Sequence, residues 1–356
     1  MADAHSTLVR VEGRAGRITL NRPDHLNALA YEQVAVIHDA LNRWAADDAV
    51  QLVILDGAGD RALCAGGDVV ALYHARDDES DLAARFWREE YALNSAIHRY
   101  PKPFVSIMDG IVMGGGIGLS AHSSHRIVTE RSKLAMPETT IGLIPDVGGT
   151  WLLANAPGGM GLYLGLLGER MGAADAIYAG FADSHVASTE LPALIGELTA
   201  ADGDPVGATI AEYASAPAPA LHATRQDSID RVFAGENLDD VIGNLSAANA
   251  PDWAQWATET LEKKSALAVA LTFDAVHEAR RLGSLEASLK NEYRLVNRLY
   301  EGGEFLEGVR ALLVDKDKQP KWQYASTSDI PNEVRISYAA PLQNREELNL
   351  SPPNAA

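Results

Sequence analysis

The sequence is short of basic residues, of cysteine and of long apolar runs, and each shortage excludes something. Thirty Lys and Arg residues stand against 49 Asp and Glu, a formal charge of −19 at pH 7. A field of that sign opposes sequence-independent nucleic-acid binding, which depends on neutralising many phosphates, so no nucleic-acid partner is expected. It leaves room for one polyphosphate ligand, because a few local basic residues and helix N-termini suffice to hold it. Cys64 is the one cysteine. No intrachain disulfide can form, and a reducing compartment is the natural setting. No stretch approaches the ~20 apolar residues of a membrane span, so no membrane partner is expected. The first residues, MADAHSTLVRVEG, contain no apolar run and carry an early acid, Asp3. Neither a secretory signal nor a transit peptide is therefore expected, and the expected location is cytoplasmic. There is no internal repeat. No His, Cys or Asp cluster has metal-ligand spacing, so no metal is expected.

What is present reads as an ordinary globular chain, 47% apolar and 22% charged, long enough at 356 residues for one large domain or two unequal ones. The first half alternates strand and helix patterns. Thr7–Glu12 and residues 17–20 predict a hairpin around Gly13 and Gly16. In 31–44, Val34, Ile37, Leu41 and Trp44 fall at helical spacing. Residues 51–56 and 103–109 predict buried strands with a helix over 81–99 between them, and 125–130 a further strand. This alternation predicts an α/β fold with a mostly parallel sheet. From about Gly158 the pattern turns helical, broken by the Ala/Pro-rich 215–221. Residues 251–264, 265–281 and 284–301 then predict successive amphipathic helices, and the tail after Trp322 reads as extended.

Three local features carry chemistry. Cys64-Ala65-Gly66-Gly67-Asp68 follows the first buried strand and its loop; Met113-Gly114-Gly115-Gly116-Ile117-Gly118 follows the second; Met136-Pro137-Glu138 precedes Pro145-Asp146 and Gly148-Gly149. Glycines between strand and helix let the backbone approach a ligand and point free N–H groups at an anion. Two such loops converging would make an oxyanion hole for a thioester carbonyl. Each alone reads equally as a tight turn, and 114–119 lacks the last glycine of a dinucleotide fingerprint. Ser120 is not followed by the glycine that a G-x-S-x-G nucleophile needs. His122, His125 and Cys64 read as packing residues.

Together these features resemble the crotonase (enoyl-CoA hydratase/isomerase) superfamily, as do Asn21-Arg22-Pro23 with Leu26-Asn27-Ala28-Leu29 and Ile141-Gly142-Leu143-Ile144-Pro145. The resemblance implies a ββα spiral core over 1–213, an enlarged helical C-terminal region over 222–322 and an extended tail over 323–356. It implies an acyl-CoA as substrate, no separate cofactor, and allows a homo-oligomer. The oxyanion donors would be the N–H groups of Gly67 and Gly115, with Gly66 and Gly114 beside the substrate. Asp68 would cap the following helix.

Which member the chain resembles is decided by carboxylates. Hydratases of the superfamily place one glutamate two residues after the triple glycine, where this chain has Gly118, and a second in the Pro-Glu motif, here Glu138. Asp146 adds an acid eight residues on, where many hydratases have glycine. This pattern is similar to the 3-hydroxyisobutyryl-CoA hydrolases of valine degradation. Arg88-Glu89-Glu90-Tyr91 with Leu93-Asn94 resembles their substrate-contacting segment, and Glu292-Tyr293-Arg294-Leu295, Phe305-Leu306-Glu307-Gly308 and Pro320-Lys321-Trp322 resemble their C-terminal pattern. Residues of about 187–250 match weakly. By this resemblance Glu138 and Asp146 are catalytic and Glu90 recognises the hydroxyacyl group. Lys316, Lys318 and Lys321 are candidates for the CoA phosphates, set against a plain solvated basic patch. The competing functions are an enoyl-CoA hydratase, a dienoyl-CoA isomerase, whose further acid is replaced here by Gly118, and a catalytically silent acyl-CoA-binding protein.

Overall fold

The computed structural model describes residues 6–76, 81–200, 205–247 and 249–350. Asp3 and the last residues of the tail, 351–356, lie outside them. The chain divides into two compact units, one of Met1–Asp68, Leu93–Ala135 and Arg170–Ala223, the other of Val69–Ala92, Met136–Glu169 and Thr224–Ala356. These interleave along the sequence. The cause is the apolar content of the crossovers. Trp87, for example, leaves the strands to set its ring edge-on to Tyr300 and Phe305, with centroids 5.8 and 6.0 Å away.

The first unit holds both sheets. The hairpin expected around Gly13 is present as β1 (Thr7–Glu12) against β2 (Ala15–Leu20). Gly13 has φ +56, and a Cβ there would lie 2.1 Å from the Thr199 carbonyl oxygen, so only glycine turns the corner. β2 then pairs in parallel with β3 (Leu52–Gly57). β5 (Phe104–Met108), β7 (His125–Val128) and β9 (Ser184–His185) extend the sheet in the order β1-β2-β3-β5-β7-β9. The Tyr31–Ala45 helix buries Val34, Ile37, Leu41 and Trp44, the stripe its spacing predicts. The helices Leu191–Ala200 and Val206–Tyr213 bury Leu194, Leu198 and Ile210 with Leu52, Ile54, Val105, Ile107 and Ile127 of the strands.

A second, three-stranded sheet joins β4 (Ala62–Cys64), β6 (Ile111–Met113) and β8 (Lys133–Ala135), all parallel. Strands this short show no alternation in sequence. They turn the chain into a repeat: a strand of the large sheet, one of the small sheet, then a helix. β3 and β4 lead to the helix Val69–Ala75, β5 and β6 to Gly115–Ser120, and β7 and β8 to the 3₁₀ turn Glu138–Ile141. This is the ββα order that the resemblance implies.

The second unit is helical. Ser265 caps Ala266–Leu282 by accepting the Ala268 N–H at 3.0 Å. Gly283 ends that helix at φ +65, and Ser284 caps Leu285–Glu301. The tail is not extended throughout. It forms the helix Asn332–Ala339, which buries no residue; Arg335 ties it to Asp274 at 2.5 Å, and Arg345 reaches Glu301 at 2.5 Å. Tethering by ion pairs leaves no apolar period to read.

At Gly116 the first turn of the Gly115–Ser120 helix runs against the end of β4, and a Cβ there would fall 2.3 Å from the Cys64 carbonyl oxygen. Gly116→Ala is expected to lower stability by about 1–3 kcal/mol through overpacking. An unchanged thermal midpoint would show that the two loops tolerate more separation than this contact implies.

Candidate active site

Both glycine loops leave neighbouring strands of the small sheet, and this brings them together in the first unit. Gly66, at φ +118, follows β4, and a Cβ on it would meet the Met113 carbonyl oxygen at 3.5 Å. A parallel bridge to Leu29 uses the Gly66 carbonyl (2.8 Å) and the Asp68 N–H (2.9 Å), so the Gly67 N–H is not consumed by that ladder. Gly114 turns the chain out of β6 at φ +47, and its carbonyl accepts from Ile117 (2.8 Å) and Gly118 (3.1 Å). Gly115 is the first residue of the helix, where an N–H has no acceptor within the helix. Asp68 accepts from Arg22 at 3.0 Å. Ser120 is spent on the Gly116 carbonyl at 2.6 Å, and Cys64 is buried with its Sγ 3.5 Å from the Gly66 carbonyl oxygen. Neither is placed as a nucleophile.

The acids gather in the second unit. Pro137 leads into the Glu138–Ile141 turn, and Gly142 closes it at φ +71, where a Cβ would lie 2.4 Å from the Glu304 carbonyl oxygen. The Glu138 carbonyl takes the N–H groups of Gly142 and, at 3.0 Å, of Leu143. Glu138 is thus fixed at its backbone while its buried side chain keeps one oxygen, Oε2, without a hydrogen-bond partner among the described residues. Asp146 opens the next turn: its carbonyl accepts the Gly149 N–H at 2.6 Å, and the Tyr91 hydroxyl donates to Oδ2 at 2.7 Å. Glu90, beside Tyr91 on the Leu82–His98 helix, is 2% exposed and has an unpartnered Oε1. Unsatisfied buried oxygens are rare in native proteins, and a catalytic role is one reason a fold retains them.

Burial raises the proton affinity of all three. It lifts Asp146 to about 6 against the opposing pull of the Tyr91 hydrogen bond. Glu138 and Glu90 rise well above the usual carboxylate range, by burial first and then by the Asp146 charge. Two further residues carry weight here. Lys264, buried and brought down to about 8, donates to the Thr140 hydroxyl at 2.7 Å and holds the Glu138 carboxyl lower than burial alone would leave it. Glu292 is 0% exposed and raised to about 8 by burial; its segment was legible, its partners were not. Lys316, Lys318 and Lys321 are exposed, the first two at φ +59 and +56 after the π-helix Arg310–Val314. Among the described residues no cluster of His, Cys, Asp and Glu is arranged to hold a metal ion. No helix among them is long and apolar enough to cross a membrane.

The enoyl-CoA hydratase/isomerase family model matches residues 15–338. The mitochondrial 3-hydroxyisobutyryl-CoA hydrolase of Xenopus tropicalis is 38% identical over 348 residues, covering 95% of this chain and 90% of that protein. Among solved structures, a carnitinyl-CoA dehydratase from Mycobacterium thermoresistibile is 42% identical with a TM-score of 0.91, over 97% of this chain and 99% of that one. An enoyl-CoA hydratase from Rhodobacter sphaeroides 2.4.1 is 42% identical with a TM-score of 0.89, over 95% and 98%.

Since the Tyr91 hydroxyl opposes the upward pull of burial on Asp146, Tyr91→Phe is expected to raise the Asp146 titration midpoint above its present value by about one unit, the scale of one hydrogen bond to a charged group. Carboxyl ¹³C NMR across pH 4–9 reads this directly, and a midpoint left in place would remove Tyr91 from the cluster.

Proposed function

Because the chain belongs to the enoyl-CoA hydratase/isomerase family, we propose that it hydrolyses the thioester of 3-hydroxyisobutyryl-CoA, and of 3-hydroxypropionyl-CoA, to the free hydroxy acid and CoA. The observation that carries this reading is the placement of acids. Glu138 and Asp146 are buried and electrostatically linked, while the position where hydratases keep their first glutamate is Gly118, inside the Gly115–Ser120 helix. The name of the Xenopus relative supports the same substrate. A role in valine degradation follows from that substrate.

Water and thioester give a carboxylic acid and a thiol, so the site must stabilise one oxyanion and move one proton to sulfur. In this proposal the N–H groups of Gly67 and Gly115 hold the carbonyl oxygen, whose charge grows as the tetrahedral intermediate forms. Glu138 takes a proton from the attacking water, or attacks the carbonyl carbon itself; the C–S bond breaks and the thiolate takes a proton from the acids, and in the second route water then cleaves the acyl–Glu138 anhydride to release the hydroxy acid and restore the carboxylate. Carboxyls that hold protons unequally offer a base and an acid at one pH. Asp146 and Glu90 meet the 3-hydroxyl, and Lys316, Lys318 and Lys321 meet the CoA phosphates. The expected cytoplasmic location stands beside the word mitochondrial in the Xenopus name.

A hydration reading is favoured by the two solved structures at 42% identity, a carnitinyl-CoA dehydratase and an enoyl-CoA hydratase. One enzyme preparation separates the two. Thiol release from 3-hydroxyisobutyryl-CoA is expected to be rapid. Butyryl-CoA should react slowly because it leaves buried acids without their hydroxyl partner, and crotonyl-CoA should be hydrated little. Rapid crotonyl-CoA hydration with no thiol release would restore the hydratase.

Glu138→Gln is expected to cut turnover by ~10²-fold or more with CoA binding retained, and also to raise the melting temperature at pH 8. The sign follows from the raised proton affinity. A carboxyl whose affinity is higher folded than unfolded contributes fully to stability below its unfolded value and loses that contribution as pH climbs from there through its folded value, so replacing it with an uncharged amide helps at every pH above the ordinary carboxylate range. Loss of activity with a lowered melting point would point to damage instead of chemistry.

A further inference from the structure

Glu292 sits in the Leu285–Glu301 helix, fully buried, and both of its oxygens are spent on one short segment. Oε2 accepts the Gly148 N–H at 2.7 Å; Oε1 accepts the Thr150 N–H at 3.0 Å and the Thr150 hydroxyl. That segment is the turn that starts at Asp146. It is not a relaxed one: Val147 lies at φ +53, a region a β-branched residue rarely enters, and Gly148 follows at φ +80. Strain of this kind persists only where the surroundings over-determine the backbone. The next residue along the helix, Tyr293, sets its ring edge-on to Tyr91 with centroids 6.3 Å apart, and the Tyr91 hydroxyl bonds Asp146. One helix therefore braces Asp146 from its backbone and from its side-chain partner. A buried carboxylate is costly to keep, and an apolar residue of similar size is often at least as stabilising.

We propose that Glu292 is a positioning residue: it clamps the strained Asp146–Thr150 turn and so holds the Asp146 carboxylate in register with Glu138 and Glu90. This rests on the reading of Asp146 as a group of the reaction, and it gives the C-terminal helices a part in the chemistry. The acids that face Asp146 are Glu90, Glu138 and Glu292, with Tyr91 as the donor. All lie in the same unit. The unequal proton affinities of these acids depend on their spacing, and a turn free to relax would blur them.

Glu292→Gln places an amide NH₂ against one of the N–H donors and opens one arm of the clamp. It is expected to lower kcat for 3-hydroxyisobutyryl-CoA on the order of 10²-fold, the scale of a misplaced group, with KM within about threefold. In an Asp146→Asn background the same change should cost no more than about twofold, because the residue acts through Asp146. Thr150→Val, which removes only the hydroxyl arm, should lower kcat about tenfold, and Thr150→Ser should restore it. Equal losses in both backgrounds, or a folded Glu292→Gln enzyme at the parent kcat, would overturn the clamp. If Glu292→Gln does not fold, the Val and Ser variants at 150 decide alone. The ¹³C titration of Asp146 gives a readout independent of the reaction: it should move in Thr150→Val and Glu292→Gln and stay in Thr150→Ser, and a midpoint unmoved in all three would sink the proposal. If the parent hydrates crotonyl-CoA and releases no thiol, the hydrolase reading fails while the same variants, assayed on hydration, still test the clamp.

Discussion

A carboxylate taken out of water costs several kcal/mol unless donors or protons compensate it, and the second unit buries Glu90, Glu138, Asp146 and Glu292 together. Much of its architecture answers to that cost. Compensation arrives from separate elements: the Tyr91 hydroxyl from the Leu82–His98 helix and the N–H groups of Gly148 and Thr150 from a strained turn as donors, and the Lys264 charge from just ahead of the Ser265 cap. None fully offsets burial. Asp146 remains near 6 and Glu292 near 8, and Glu138 and Glu90 keep an oxygen with no partner among the described residues. The unit accepts proton-hungry acids as the condition for having acids that can give and take protons near neutrality.

The first unit solves the opposite problem, that of bringing two stretches of backbone close together without leaving the chain loose. Its means is the three-residue strand. β4 and β6 hold the ends of both glycine loops in register, and the glycines then allow an approach so close that a single methyl at 116 would strike the Cys64 carbonyl. Side chains would block this; longer strands would use up the N–H groups.

How much of this could be read from residues alone depended on whether the feature was local. The hairpin, the Tyr31–Ala45 helix and the capped pair Ala266–Leu282 and Leu285–Glu301 were legible because each carries its own period and stops: Val34 to Trp44 at helical spacing, then Gly283 and Ser284 between two helices. The glycine loops and the acids 138 and 146 were legible as motifs. The small sheet was not, since three residues are too few to alternate, and neither was the Asn332–Ala339 helix, which buries nothing and is held by Arg335. Nor could the sequence pair Glu292 with a turn 142 residues earlier or set Lys264 near Glu138. Long-range partners leave no mark in a local pattern.

One fold can host addition across a double bond and cleavage of a thioester because the two share the stabilised carbonyl oxygen and differ in where protons stand. Here the difference comes down to two positions. Gly118 leaves the Gly115–Ser120 helix without an acid at that place, so in the proposed reaction the glycine loops offer backbone donors alone. Asp146 lies on a turn whose Gly148 and Thr150 N–H groups are held by a carboxylate of a distant helix. An acid on a helix would be rigid by default, whereas an acid on a strained turn needs a brace. In the proposed clamp the Leu285–Glu301 helix supplies that brace through Glu292 and Tyr293, which gives the turn the rigidity that a helical position has from its own hydrogen bonds.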